Sequence, residues 1–81
     1  MKTINVRYFA MFRELADRDS ETVAIEQEKT YTDLYHTLSQ RHHFPLGIDM
    51  VQVAVNDEFV DIESNLISGA SIVFIPPVAG G

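Results

Sequence analysis

The last two residues, Gly80 and Gly81, are the ones whose types suggest chemistry. Because neither carries a Cβ, the final peptide and the carboxylate can enter a narrow channel and approach another enzyme's phosphates closely. A free carboxylate does not react with nucleophiles, but ATP can convert it to an acyl adenylate that sulfur or an amine attacks. The ending therefore predicts a reactive acyl group at Gly81.

Activation of this carboxylate requires a partner protein. The chain lacks both G-x-x-x-x-G-K-[ST] and G-x-G-x-x-G, the glycine-rich patterns that cradle phosphates. We therefore expect ATP to enter only transiently, as the Gly81 acyl adenylate formed by an activating enzyme, and no cofactor to be bound stably. The alternative is an inert, frayed end, which an average glycine usage of about 7% makes a rare coincidence.

A stiff stem precedes the two glycines. Pro76 and Pro77 have fixed φ angles, so they stop the preceding strand and favour an extended chain. We expect residues 76–81 to form an extended tail whose small apolar residues suit a groove of a partner. The predicted partner-binding residues are Phe74, Pro76, Pro77, Val78, Ala79 and Gly80.

Two other groups of polar residues do not predict a catalytic or metal site. His36 and His43 are two helical turns apart, so a single helix cannot bring them to one metal ion. The acidic residues between positions 57 and 63 lie in a turn and a short strand that offer no cleft. A solvated face is the first interpretation of the acidic run, and a rim that steers a basic partner is the second.

Composition narrows the class of protein. The 81 residues carry a net charge of −6 with only six Lys and Arg, so neither nucleic acid nor an anionic membrane is an expected partner. A hydrophobic fraction of 46% indicates one folded domain over residues 1–81. The chain has no cysteine, hence no disulfide framework and no thiol to carry sulfur. We expect a cytoplasmic protein, since the N-terminus has no apolar signal region.

The apolar periodicity predicts five strands and one substantial helix. The helix begins after the N-cap Thr30, with Asp33 as the capping acid, and ends near His42. Alternating or continuous apolar residues predict strands at 2–9, 21–26, 50–56, 59–60 and 71–75.

Shorter segments complete the prediction. Residues 10–16 are expected to form one or two helical turns, with Phe12 and Leu15 facing inward. Residues 65–69 are expected to form a helical turn closed by glycine, and residues 44–49 a loop. This order predicts an α+β fold of the β-grasp kind, a mixed sheet packed on one main helix. A ferredoxin-like split βαβ would need two full helices.

The last strand is apolar at every position from 72 to 75. Since one helix cannot cover both faces of a sheet, we expect an exposed apolar patch around Phe74 that serves as a partner interface. Arg7 and Phe9 are expected on the same face.

Several short motifs along the chain carry a family resemblance. They are Phe9-Ala10, Arg13-Glu14-Leu15, Ala54-Val55-Asn56, Val60, Leu66, Gly69 and Val73 to Val78 before Gly80-Gly81. Together they resemble the family of small sulfur-carrier subunits of molybdopterin synthase, which are ubiquitin-like β-grasp proteins. The resemblance covers nearly the whole length, and the ending is its most specific part. The chain departs from the family at Ala70-Ser71, where an acidic pair is frequent, and at Ala79, where serine or threonine is frequent.

The resemblance implies a defined cycle. An adenylyltransferase related to ubiquitin-activating enzymes adenylates Gly81, and sulfur then replaces the adenylate to give a thiocarboxylate. The tail enters the large subunit of the synthase, where sulfur passes to a pterin precursor of the molybdenum cofactor. Two small and two large subunits form a heterotetramer. The catalytic residues belong to the large subunit, so no independent active site is expected in this chain.

Three alternatives share the same terminus. One is a sulfur carrier of another pathway, such as thiamine thiazole synthesis. Another is a ubiquitin-like modifier that is joined to lysines, since both chemistries start from an acyl adenylate. The third is an interaction domain with an inert tail.

Overall fold

The N-terminal alternation of apolar and polar residues forms strand β1 (Lys2–Tyr8), whose Ile4, Val6 and Tyr8 side chains are buried. The computed structural model describes residues 2–77. The elements that follow β1 are α1 (Met11–Ala16), β2 (Ser20–Ile25), α2 (Tyr31–His42), β3 (Gln52–Val55), β4 (Glu58–Val60) and β5 (Ser71–Ile75), with a 3-10 turn at Ile48–Met50 before β3.

The strands form one mixed sheet in the order β2-β1-β5-β3-β4. Strand β5 lies at the centre, parallel to β1 and antiparallel to β3, while β2 and β4 are the two edges. Helix α2 packs across one face. The predicted α+β fold with a mixed sheet on one main helix is therefore confirmed. Neither helix in residues 2–77 is long and apolar enough to cross a membrane.

Helix α2 begins at the predicted N-cap because Thr30 and Asp33 form a capping box. The Asp33 amide donates to the Thr30 hydroxyl at 3.2 Å, and the Thr30 amide donates to the Asp33 carboxylate at 3.2 Å. The helix ends where His43 adopts a left-handed backbone with φ 59. Its buried stripe consists of Tyr31, Leu34, Tyr35 and Leu38.

A cluster of aromatic rings joins this stripe to the sheet. The Tyr35 ring lies 5.4 Å from the Phe74 ring and 6.0 Å from the Phe12 ring, both in edge contacts. Phe44, which follows the helix, packs 4.6 Å from Phe12. Edge-to-face and tilted rings of this kind stabilise a core beyond the area that they bury.

The predicted inward orientation of Leu15 is wrong, because Leu15 is 41% exposed. Phe12 is buried as predicted, and Ala16 is buried in place of Leu15, because residues four apart lie on one face of a helix.

The helical turn predicted at residues 65–69 is also wrong. Asn65 forms an isolated antiparallel bridge with Thr30, and the Leu66 amide donates to the Lys29 carbonyl at 2.8 Å. Gly69 has φ 82, which is a turn conformation that glycine tolerates best. The loop predicted at 44–49 is correct except that the 3-10 turn takes in its last two residues.

Glu21 on β2 connects three elements through its carboxylate. Oε1 accepts from the Tyr8 hydroxyl and lies 2.8 Å from His42 Nε2, while Oε2 lies 3.1 Å from Arg18 Nη1 and 3.9 Å from Arg41 Nη1. Burial by itself raises the pKa of the Glu21 carboxyl, but the hydrogen bonds from Tyr8 and His42 bring the pKa below its usual value. Burial and the bond to Glu21 raise the pKa of Tyr8.

Candidate functional site

The stem of the tail leaves the sheet from its central strand. Pro76, the first residue after β5, is buried, and Pro77 is exposed. The chain therefore passes from the interior to the surface between these two residues. The predicted tail residues Val78, Ala79, Gly80 and Gly81 lie outside the described residues.

A shallow depression surrounds the stem. It has a volume of about 220 Å³ and is lined on one side by Ile75, Pro76 and Pro77. On the other side it is lined by residues 49–52, which include the half-exposed side chain of Met50. The 3-10 turn and the start of β3 thus flank the root of the tail.

The prediction that Phe74 is exposed is wrong. Its side chain is fully buried and packs against the Tyr35 ring of α2. The register places Phe74 opposite Val53 on β3 and Tyr8 on β1, and both of these residues face the helix. Strand alternation therefore turns Phe74 inward and its neighbours Val73 and Ile75 outward.

The face of the sheet that α2 does not cover is apolar, but residues other than Phe74 form it. Val73 pairs with Ala54 on β3, and Ala54 pairs with Phe59 on β4, so the three side chains lie in one row. Phe59 is 69% exposed, whereas Val73 and Ile75 are half-buried. We call this surface the open face.

Arg7 and Phe9 are exposed as predicted, but Arg7, contrary to expectation, does not share a face with Phe74. Arg7 is exposed and pairs with Val73 across the open face. Phe9, one residue beyond the Tyr8–Phe74 pair, is 57% exposed. Because β1 and β5 are parallel, Phe9 lies at the end of the sheet from which the tail leaves.

Sequence reasoning missed Phe59 and Ala54 as members of this face. Each is a single apolar residue within a predicted strand. The side of the sheet on which its side chain lies depends on the phase of that strand. The pairing of β3 with β4 supplies that phase, and an alternation count over residues 51–60 could have found it.

The histidines are separate from one another. His36 and His43 are exposed, and His42 is the partner of Glu21 described above. Within residues 2–77 no three His, Asp or Glu side chains are grouped so that they could hold a metal ion. The acidic side chains of Asp57, Glu58, Asp61 and Glu63 are exposed.

The family that this architecture belongs to follows from sequence comparison. Residues 6–81 match the model of the ThiS family. The chain belongs to the ThiS family. The match extends from the middle of β1 through the tail stem to Gly81, so it includes the open face, the central strand and the terminal glycines.

Individual relatives agree with the family resemblance. The molybdopterin synthase sulfur carrier subunit of Escherichia coli is 31% identical over 80 residues, which are 96% of this chain and 99% of that protein. A solved structure from Pyrococcus furiosus, assigned provisionally as subunit 1 of molybdopterin converting factor, is 31% identical with a TM-score of 0.77 and covers 96% of this chain and 100% of its own.

A more distant structure shares the fold. The complex of subunits 1 and 2 of molybdopterin-converting factor from Helicobacter pylori contains a chain that is 21% identical, with a TM-score of 0.65. The alignment covers 98% of this chain and 99% of that one. The ubiquitin-like β-grasp fold expected from the sequence is therefore confirmed for this member of the ThiS family.

Proposed function

We propose that this protein is the sulfur carrier subunit of a molybdopterin synthase. The observation that carries the proposal is the full-length similarity to a protein of that name together with the terminal Gly80-Gly81. The Helicobacter pylori complex supports a partner subunit, because a chain of the same fold is paired there with a second subunit.

The chemistry proceeds on the carboxylate of Gly81. A carboxylate oxygen attacks the α-phosphorus of ATP, pyrophosphate leaves, and an acyl adenylate forms on an activating enzyme related to ubiquitin-activating enzymes. A sulfide-level sulfur then attacks the carbonyl carbon, and the bond to AMP breaks. The product is a thiocarboxylate, which donates its sulfur to the pterin precursor on the large subunit.

The fold positions the C-terminal tail for this chemistry. Strand β5 is held on both sides by neighbouring strands, so the stem at Pro76 starts from a rigid position. The open face next to the stem offers Val73 and Ile75 as an apolar docking surface, and Phe9 is exposed at the same end of the sheet. Docking on the face would bring residues 78–81 to the catalytic pocket of the partner.

Intact mass spectrometry tests the proposal. The full chain is incubated with its activating enzyme, ATP and sulfide, and we expect a mass gain equal to the difference between one sulfur and one oxygen. The test variant is the chain without Gly81. Gly69→Ala is not a suitable control, because Gly69 has positive φ. Exposed Gln40→Ala on α2 is the matched control and should be converted fully.

The outcomes separate the functions that share this terminus. High-mass conjugates on lysine would indicate a protein modifier. Conversion to the thiocarboxylate followed by transfer to a thiazole precursor, and not to a pterin precursor, would indicate the thiamine pathway. An unchanged mass with active enzyme would overturn the proposal and favour an inert tail.

A further inference from the structure

The outer edge of the sheet at β4 differs from the open face. In the described part of the chain β4 pairs only with β3, so one side of this short strand has no neighbouring strand. A depression of about 390 Å³ lies beside β3 and the Val60 end of β4, lined by Val51, Gln52, Val53, Phe59, Val60 and Ile62. An unpaired edge beside an apolar depression is the geometry at which an extended segment can add to a sheet.

The lining residues come from both faces of the sheet. Val53 pairs with Val60, and Val53 faces the core, so Val60 lies on the helix side of the sheet. Phe59 lies on the open face and is 69% exposed. The depression therefore wraps around the edge, and a strand laid beside β4 would place alternate side chains against Val60 and against Phe59.

Charge defines what such a segment must carry. Residues 42–81 contain five acidic side chains and neither Lys nor Arg. Asp57 and Glu58 lie at one end of β4, Asp61 and Glu63 follow the other end, and all four are exposed. Basic side chains that flank an apolar segment would meet opposite charge at both ends of the edge.

The opposite edge of the sheet, at β2, does not combine exposed apolar residues with unpaired acidic side chains in the same way. Strand β2 presents the exposed polar residues Ser20 and Thr22. Arg18 and Arg41 lie 3.1 and 3.9 Å from its Glu21, so the carboxylate at the β2 edge is paired with basic side chains. A basic segment therefore meets more uncompensated negative charge at β4 than at β2.

We propose that β4 is a docking edge for a partner protein, which adds an extended segment of alternating apolar residues flanked by Lys or Arg to the sheet. Backbone hydrogen bonds along β4 provide the affinity of this interaction. The depression selects the side chains of the added segment. It goes beyond sulfur transfer, because it requires neither Gly81 nor the tail.

An NMR titration tests this docking edge. The probe is a capped synthetic peptide of sequence KKVTVTVRK, added to the isotopically labelled full chain at low salt. We expect the largest amide shifts at Glu58, Phe59 and Val60. The same peptide with N-methyl groups on alternate valines cannot pair with a strand, so it should bind at least about tenfold more weakly.

A matched pair of charge variants tests the complementarity. The double substitution Asp57→Asn and Glu58→Gln removes two exposed charges beside β4 and should weaken peptide binding about fivefold. The double substitution Asp17→Asn and Asp19→Asn removes the same charge before β2, at the opposite edge, and should leave binding within about twofold.

Three results would overturn the proposal. The first is shifts confined to β2 or to the open face. The second is equal binding of the methylated peptide, which would show contact without strand pairing. The third is equal weakening by both charge variants, which would reveal only net-charge attraction. Deletion of residues 78–81 should leave peptide binding unchanged. The proposal of a docking edge and the proposal of a sulfur-carrier function can therefore be overturned independently of each other.

Discussion

Two phenylalanines near the tail stem differ in their surroundings. Phe74 is fully buried between α2 and the sheet, whereas Phe9 is 57% exposed at the end of β1. Their places follow from strand phase, since Phe74 lies beside the inward-facing Tyr8 and Phe9 is one residue further along. Residues of the same type therefore serve the core in one case and an exposed surface in the other.

Substitution of Phe74 by alanine should lower the free energy of unfolding by about 3–5 kcal/mol, because it removes a buried ring from the aromatic cluster. The measurement is a urea titration followed by circular dichroism. Val73→Thr is the matched control on the open face, and it should change this free energy by about 0.5 kcal/mol or less. Equal losses in the two variants would contradict the strand phase that we describe.

At the scale of elements, side-chain pairing joins the end of α2 to the edge of the sheet. Glu21 on β2 contacts Tyr8 on β1 and His42 at the end of α2. The side chains of Glu21 and His42 are both only 10% exposed, so their interaction is weakly screened by solvent. The helix C-terminus is thereby held over β2.

Glu21→Gln should lower the free energy of unfolding at neutral pH by about 1–3 kcal/mol, because a partly buried network loses its charged acceptor. The folded-state pKa of Glu21 lies below its unfolded value, so its stabilisation is complete above the unfolded pKa and is lost as the pH falls through the folded pKa. The difference between wild type and variant should therefore shrink between about pH 5 and pH 3.

Urea titrations at several pH values measure this difference. Glu14→Gln on α1 is the control, since Glu14 is exposed, and it should stay within about 0.5 kcal/mol of wild type throughout. A Glu21→Gln effect that persists undiminished at pH 3 would contradict the assigned role of the carboxylate.

At the scale of the whole molecule, the open face and the stem of the tail lie together. The parallel pairing of β1 with β5 brings Phe9 and Pro76 to the same end of the sheet. Helix α2 covers the other face, so a partner that receives the tail can dock on the open face without disturbing the core.

Phe9→Ser should weaken binding to the large subunit at least about tenfold without changing stability appreciably. Ile67→Ser is the matched control, because Ile67 is 56% exposed and precedes β5 at the end of the sheet opposite the stem. Calorimetric titration with the large subunit gives both affinities. Loss of affinity in both variants, or in neither, would be evidence against docking at the open face.

Local patterns predicted several elements of this fold. The capping box of Thr30 and Asp33 and the apolar stripe of α2 depend on residues within a few positions of one another, so they can be identified along the chain. The Gly80-Gly81 ending and the proline stem are similarly local, and they led to the family that the comparison confirmed.

Other features depend on contacts between residues that are distant in sequence. Strand β5 is apolar on both faces, so only its pairing with β1 and β3 decides that Phe74 faces the helix. Segment 65–69 is shaped by the bridge between Asn65 and Thr30, a contact that the local sequence does not predict.

The sequence by itself therefore determined the α+β fold class, the boundaries of α2 and the predicted chemistry of the terminus. Tertiary structure decided which face of the sheet stays open, which edge remains unpaired and where Glu21 meets His42. The physical reason is that one helix can cover only one face of a five-stranded sheet. Strand pairing selects that face, and in a strand that is apolar at every position the local pattern does not decide which side chains face the helix.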